Sequence, residues 1–185
     1  MIDLHFVDEL IAARREQHGG GRGAPKVVSG GVRIGASINR SCIVMLSALL
    51  QGHVDEVFRA LAPVAFPEYS RSGDAYETFL EQARRAGNPS PGNITMLFRK
   101  IGVLNVMSGL TWRRHRRSIV NGKIVSSLDE INQIRNRIAH SQELRLNGQP
   151  YNLTLVDVKR LRNIVEGYGE HFQAHATAKV TASRV

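Results

Sequence analysis

Leu128-Asp129-Glu130-Ile131-Asn132-Gln133-Ile134-Arg135-Asn136-Arg137-Ile138-Ala139-His140 is the stretch from which the architecture reads. Leu128, Ile131, Ile134 and Ile138 recur at helical spacing and make one apolar stripe. Ser127-Leu128-Asp129-Glu130 has the form of a capping box, with Ser127 at the N-cap and Glu130 three positions on. The pattern predicts a helix of roughly fifteen to twenty residues that ends before Asn147-Gly148. At about 100° per residue, His140 falls on the side opposite the stripe, with Asn136 its neighbour one turn earlier. Arg135 lies about 140° round from His140, at the stripe's edge. A guanidinium there must reach outward or find a partner. A neighbouring chain, or a polyanion spanning both residues, would bring Arg135 and His140 into one site. The plainer reading is an amphipathic helix whose charged face is solvated, with His140 a cation suited to the helix C-terminus.

Outward from this stretch the chain is mostly helical. Residues 3–17 form a short helix on Leu4, Val7, Leu10 and Ile11. The glycines of 19–35 make a linker, so that 1–18 is an N-terminal helical arm able to detach. Residues 36–62 form the strongest helix, capped by Ser37 and closed by Pro63 and Pro67. Helices follow over 73–86 and from Ile94 to about Leu104, separated by the break Asn88-Pro89-Ser90-Pro91-Gly92-Asn93. Ser118-Ile119-Val120, Asn121-Gly122 and Lys123-Ile124-Val125 form the pattern of a hairpin with a two-residue I′ turn. Thr154-Leu155-Val156-Asp157 starts a last helix to about Ala174, and 176–185 is a disordered tail. The expected fold is all-α: about five to six helices over 36–175, with one small β-hairpin inserted.

Composition narrows the function classes. At 185 residues the chain fits one domain, and 42% hydrophobic residues suffice for a core. Aromatics are 6%, so that core should be aliphatic. The single cysteine, Cys42, excludes an intramolecular disulfide framework and a cysteine-rich zinc module; among Ile43, Val44 and Met45 it reads as a small buried apolar residue. No run reads as long enough to span a membrane, and Met1-Ile2-Asp3-Leu4-His5 lacks a basic leader region. A soluble cytoplasmic protein is therefore expected, with no membrane partner. The net charge of +9, from 25 Lys and Arg against 16 Asp and Glu, favours a polyanion, with nucleic acid first. Arg113, Arg114, Arg116 and Arg117 surround His115 directly after Trp112, so the cluster offers charge for phosphates and a ring for a base. The alternative is a solvated loop with Trp112 tucked into the core.

Arg135-Asn136-Arg137-Ile138-Ala139-His140 resembles the signature of the HEPN superfamily, an Arg followed by a polar residue and then a His within a helix. Ile38-Asn39-Arg40-Ser41 leading into Val44-Met45-Leu46-Ser47-Ala48-Leu49-Leu50 resembles that family's long second helix. Asn88-Pro89, Gly92-Asn93-Ile94 and Arg99-Lys100-Ile101-Gly102 resemble the middle of its RiboL-PSP-HEPN branch. The resemblance covers residues 36–174. It implies a helical bundle that dimerises, with the motifs of two protomers meeting, and a metal-independent endoribonuclease without cofactors. Carried over, Arg135 and His140 would be the catalytic pair and Asn136 their support. On charge and the stacking ring, Trp112, Arg113, Arg114, Arg116, Arg117 and Arg137 are the expected RNA contacts. The same resemblance implies RNA as substrate, a homodimer with a composite site, and a bacterial defence or toxin setting with an antitoxin or second component. Two positions depart from the pattern. Gln51 stands where many relatives carry Glu, and Gln142 where antitoxin-modified relatives carry Tyr.

The chemistry suits those residue types. RNA carries its own nucleophile, the 2′-OH, so cleavage needs a base, an acid and positive charge for the phosphorane. Histidine can be base or acid near neutral pH, and arginine holds phosphate through a fork. Other candidates are weaker. His171 and His175 have metal-ligand spacing, but only Glu166 or Glu170 stands near as a third ligand, so no metal site is expected. Gly19 to Gly23 lacks the Lys-Ser/Thr ending of a phosphate loop. The alternative function is a catalytically inactive HEPN-like module that binds RNA or a protein through Trp112–Arg117. A helix-turn-helix that binds DNA is a weaker third, because no compact pair of short helices with its turn is evident.

Overall fold

A computed structural model describes residues 1–17, 27, 33–67, 73–84, 87–140, 144–146 and 148–183. The expected glycine linker lies largely outside the described residues, as does Gln142. Among the described residues there are six helices and two short antiparallel ladders. In chain order they are α1 (His5–Gln17), α2 (Ala36–Ala65), α3 (Gly73–Arg84), α4 (Pro91–Arg99), β1 (Trp112–Arg114), β2 (Arg117–Ile119), α5 (Asn121–His140), β3 (Arg145–Leu146), β4 (Gln149–Pro150) and α6 (Leu155–Ala182). The fold is all-α with small hairpins, as the periodicity predicts.

The long helices α2 and α6 pack on each other, and α1 and α5 pack on α2. Their shared core takes Leu46, Leu50 and Val54 from α2, Val158, Leu161 and Val165 from α6, and Ile124, Leu128, Ile131 and Ile134 from α5. The core is aliphatic, as expected, except for an aromatic chain through its middle. Phe58 meets Phe98 edge-on at 5.6 Å, Phe98 meets Phe172 at 5.5 Å, and Tyr168 stacks on Phe172 at 4.5 Å. By length and composition α2 is apolar enough to cross a membrane, which the sequence reading missed; half of its most apolar window is buried in the bundle.

Several expected boundaries move, each for a local reason. Gly35, not Ser37, is the N-cap of α2, in a left-handed conformation with φ +74°. Pro63 lies inside α2 rather than ending it. A proline there leaves the carbonyl four residues back without its helical donor, and the Tyr76 hydroxyl of α3 donates to that Arg59 carbonyl at 2.8 Å. α4 begins at Pro91, because the Ser90 side chain accepts from Asn93 N–H and proline is suited to the first helical position. α6 begins where expected, on a Thr154–Asp157 capping box. It runs past Ala174 to Ala182, with Ala176 and Val180 buried, so the expected disordered tail is helical through Ala182.

α1, expected as a detachable arm, is docked on α2 and α6. Leu4, Val7 and Ile11 are buried, and Asp8 accepts two hydrogen bonds from Arg162 at 2.9 and 2.7 Å.

The hairpin sits earlier than expected. Trp112 pairs with Ile119 and Arg114 with Arg117, so the turn residues are His115 and Arg116. Both have positive φ (47° and 66°), as a two-residue I′ turn requires. Asn121-Gly122 instead opens α5, where the Lys123 and Ile124 N–H groups donate to the Val120 carbonyl. Burial of Ile124 extends the apolar stripe one turn back and draws the segment into the helix. Ser127 and Glu130 are therefore helix-interior residues and form no capping box. Ser127 is buried, and Glu130 accepts from Arg160 of α6 at 2.6 Å.

Two results follow. At Gly167 a Cβ would stand 2.5 Å from Cε2 and Nε1 of Trp112, so Gly167→Ala should cost about 1–3 kcal/mol. Denaturant unfolding, read by the fluorescence of the sole tryptophan, checks this. His53 is buried with its Nε2 unpartnered, and burial lowers its pKa; the amino terminus works in the same direction and Glu56 against it. The unfolded chain then binds a proton that the fold rejects. The contribution of His53 is full above about pH 6.5 and declines below it as the folded-state pKa is passed. Denaturation midpoints should fall from pH 7 to pH 5, and His53→Phe should flatten that decline.

Candidate functional site

The motif occupies the last turns of α5, which end at His140. Its geometry depends on asparagines one helical turn apart. Asn132 is buried, and its Nδ2 donates to the Pro89 carbonyl at 3.0 Å and to the Leu128 carbonyl at 2.9 Å. Asn136 accepts at Oδ1 from Asn88 Nδ2 at 2.8 Å and from Arg135 Nη1 at 3.3 Å. Asn93 Nδ2 in turn donates to the Asn88 carbonyl at 2.8 Å. The segment ahead of α4 is thereby laced onto α5, and the Arg135 guanidinium is tied to an amide that Asn88 already holds. The structure brings Arg135 and Asn136 together, with Arg135 half-buried as its place at the stripe's edge predicts. His140 is exposed at the helix C-terminus, where a cation is favoured, and it joins neither hydrogen bond. Arg137 is exposed on the same turn.

Beside the motif lies a shallow groove of about 330 Å³, lined by Arg40, Ser41, Val44, Met45 and Ala48 of α2 and by Ile138 of α5. Val44 is 42% exposed, so α2 shows an apolar strip to solvent there. Gln51, the departure from the expected Glu, is half-buried on the same helix.

The basic cluster divides. Trp112 is buried, stacked on His171 at 5.5 Å and seated over Gly167, so it has no free face for a base. Arg114 is spent on α6, through Glu166 at 2.8 Å and the side chain and carbonyl of Asn163 at 3.0 Å each. Glu166 also pairs with Arg162 at 2.5 Å. Burial alone would raise its pKa, but Arg162 and Arg114 outweigh that and hold the carboxyl below its ordinary value. Trp112 and Arg114 are thus the anchors of the hairpin, a correction to their expected role as contacts. Arg113, His115, Arg116 and Arg117 are exposed around its turn. Two non-glycine residues in the left-handed region cost of order 1–3 kcal/mol each and persist only where their surroundings impose that conformation. Here the anchored strands do so.

The remaining candidates are used elsewhere. His171 Nδ1 lies 2.8 Å from the Gly167 carbonyl, and His175 Nε2 3.0 Å from the Val106 carbonyl, so the two rings do not converge on one point. Among the described residues no cluster of three or more His, Cys, Asp or Glu is placed to hold a metal ion. Cys42 is buried, and burial pushes its thiol up to about 11, the state of an inert core residue. Comparison with known proteins returns no family model, no curated protein and no solved structure that matches this chain.

Sequence reading missed Asn88, Asn93 and Asn132. Their signal was the repeat of asparagine at 132 and 136, an i,i+4 pair on one face of the helix. Asn88→Ala should leave stability within about 0.5 kcal/mol, because that hydrogen bond is exposed. Asn132→Leu should cost about 1–3 kcal/mol by leaving the Pro89 carbonyl without its donor. Equilibrium unfolding of the two variants side by side tests the division between a pinning and a structural asparagine.

Proposed function

We propose that the protein is a HEPN-type, metal-independent endoribonuclease that works as a homodimer, with Arg135 and His140 as the catalytic residues and Asn136 as their support. The observation that carries the reading is the pinned Arg135. Its guanidinium is tied through Asn136 to Asn88, while His140 stands exposed five residues on at the end of the same helix. The apolar strip of α2 beside Ile138 supports a second copy as neighbour, since joining two such strips would remove them from water and bring two motifs close.

In this reaction the 2′-oxygen of the substrate attacks the adjacent phosphorus. His140 of one protomer takes the 2′-OH proton, and the protonated imidazole of its partner gives a proton to the departing 5′-oxygen. The Arg135 guanidiniums neutralise the phosphorane. The products are a 2′,3′-cyclic phosphate and a 5′-hydroxyl, and the net proton count is unchanged. The exposed arginines at the hairpin turn, 113, 116 and 117, together with Arg137, attract the RNA backbone. A cytoplasmic bacterial defence or toxin setting, with an antitoxin or second component as partner, belongs to the same reading and rests on resemblance alone.

One observation favours a second reading, an inactive module that binds RNA or a protein. The hairpin presents its charged turn on anchors that belong to α6, Glu166 and His171, rather than to the helix that carries Arg135 and His140. The two readings part in one experiment, cleavage of a structured RNA panel in excess EDTA. Wild type should cut RNA to cyclic-phosphate ends and leave all-deoxy strands whole. His140→Ala should lose about 10²–10⁴-fold in rate while keeping RNA affinity. Equal cutting by both proteins removes His140 from the mechanism, and binding without cutting removes the nuclease reading and leaves the hairpin as the functional surface.

A further inference from the structure

Arg14 is anomalous. Among the described residues it is the one permanently charged side chain that is buried, at 3% exposure, and its Nε and Nη1 have no hydrogen-bond partner. A guanidinium cannot escape the cost by losing its proton. A buried charge is tolerated where something of opposite sign meets it.

The place where Arg14 lies sharpens the point. Its Cδ, Nε and Cζ stand 2.3, 2.3 and 2.6 Å from where a Cβ of Gly35 would be, so the guanidinium is laid across the N-cap of α2. That end of a 30-residue helix is already positive, with no acidic residue in its first turn and no side-chain cap. The Ala36 N–H donates to the Arg33 carbonyl and the Asn39 N–H to the Gly35 carbonyl. The intervening N–H groups of Ser37 and Ile38 have no backbone acceptor among the described residues. Ser37 is exposed, so this end of the helix is open to solvent. A trapped cation laid over Gly35, a helix dipole of the same sign and two unmet donors in the next turn thus share one end of α2.

The structure assigns to this point a binding site for a phosphate group, held by Arg14 and by the first-turn amides of α2. A phosphate monoester carries nearly two charges and three terminal oxygens, enough to meet the guanidinium and both amides together. A chloride ion offers one charge and no such set of acceptors. Gly35 is required because any side chain there would occupy the space of the guanidinium. The site is separate from Arg135 and His140 and does not rest on the nuclease reading. The group it takes is either free phosphate or the terminal phosphate of an RNA strand.

Thermal unfolding of the full chain tests this, with sodium phosphate replacing sodium chloride at constant ionic strength. Wild type should gain on the order of 5–10 °C at phosphate a hundredfold above its Kd. Arg14→Met should unfold no lower than wild type without phosphate, since it removes an unmet charge, and should show no phosphate response. Ser37→Asp supplies a carboxylate at the same helix end, so it should raise the phosphate-free Tm and weaken the response. Binding of 2′-O-methyl oligonucleotides, which cannot be cut, then separates the sources. Preference for a 5′-phosphorylated strand over its 5′-hydroxyl twin, lost in Arg14→Met, assigns the site to RNA ends. Equal weak binding of both strands beside an intact response to inorganic phosphate assigns it to the free anion. The inference is overturned if phosphate stabilises wild type no more than chloride does. It is equally overturned if Arg14→Met keeps the wild-type response, or lowers the phosphate-free Tm with that response unchanged.

Discussion

The packing of α6 along α2 is the contact on which everything else in the molecule hangs. Apolar residues from both helices fill one core, and the aromatic chain from Phe58 through Phe98 and Phe172 to Tyr168 ties α4 into it. With that pair in place, α5 lays its isoleucine stripe into the same core, and α1 closes the other side. Burial of this kind has no direction of its own. Orientation comes instead from a few polar ties that reach across elements.

Two of those ties organise the surfaces that matter for function. On α6, Arg162 and Glu166 link Asp8 of α1 to Arg114 of the hairpin, so the arm and the hairpin are held by one charged network. On α5, Asn132 and Asn136 hold the segment ahead of α4 and, through Asn88, the guanidinium of Arg135. The network around Glu166 is partly exposed, so its worth lies more in geometry than in stability. Buried Asn132 is the opposite case, since the Pro89 carbonyl has little else to turn to.

The chain also keeps local conflicts. His115 and Arg116 hold a left-handed turn that glycine would take at less cost. Arg14 lies buried against the positive end of α2. Conflicts of this kind gather at places with a use beyond folding, because selection for stability alone would remove them.

The sequence by itself determined the class of the fold, the long helices and the face on which Arg135 sits. Each of these follows from the 3.6-residue period, which acts over a few turns and needs no distant partner. It also determined the start of α6, where Thr154 and Asp157 satisfy each other within a single turn. Tertiary structure alone decided the rest. Asn121-Gly122 has the chemistry of a turn, yet it opens a helix because Ile124 has a buried place to fill. Pro63 has the chemistry of a helix end, yet α2 continues because Tyr76 reaches the carbonyl left without its helical donor. Trp112 and Arg114 sit in a basic run that reads as one surface, yet Gly167 and Glu166, some fifty residues away, draw both inward. The asparagine lacing around Arg135 likewise joins positions 88 and 136, far apart in the chain. Local periodicity carries no information about such pairs, because the energy that decides them exists only once the distant partner has arrived.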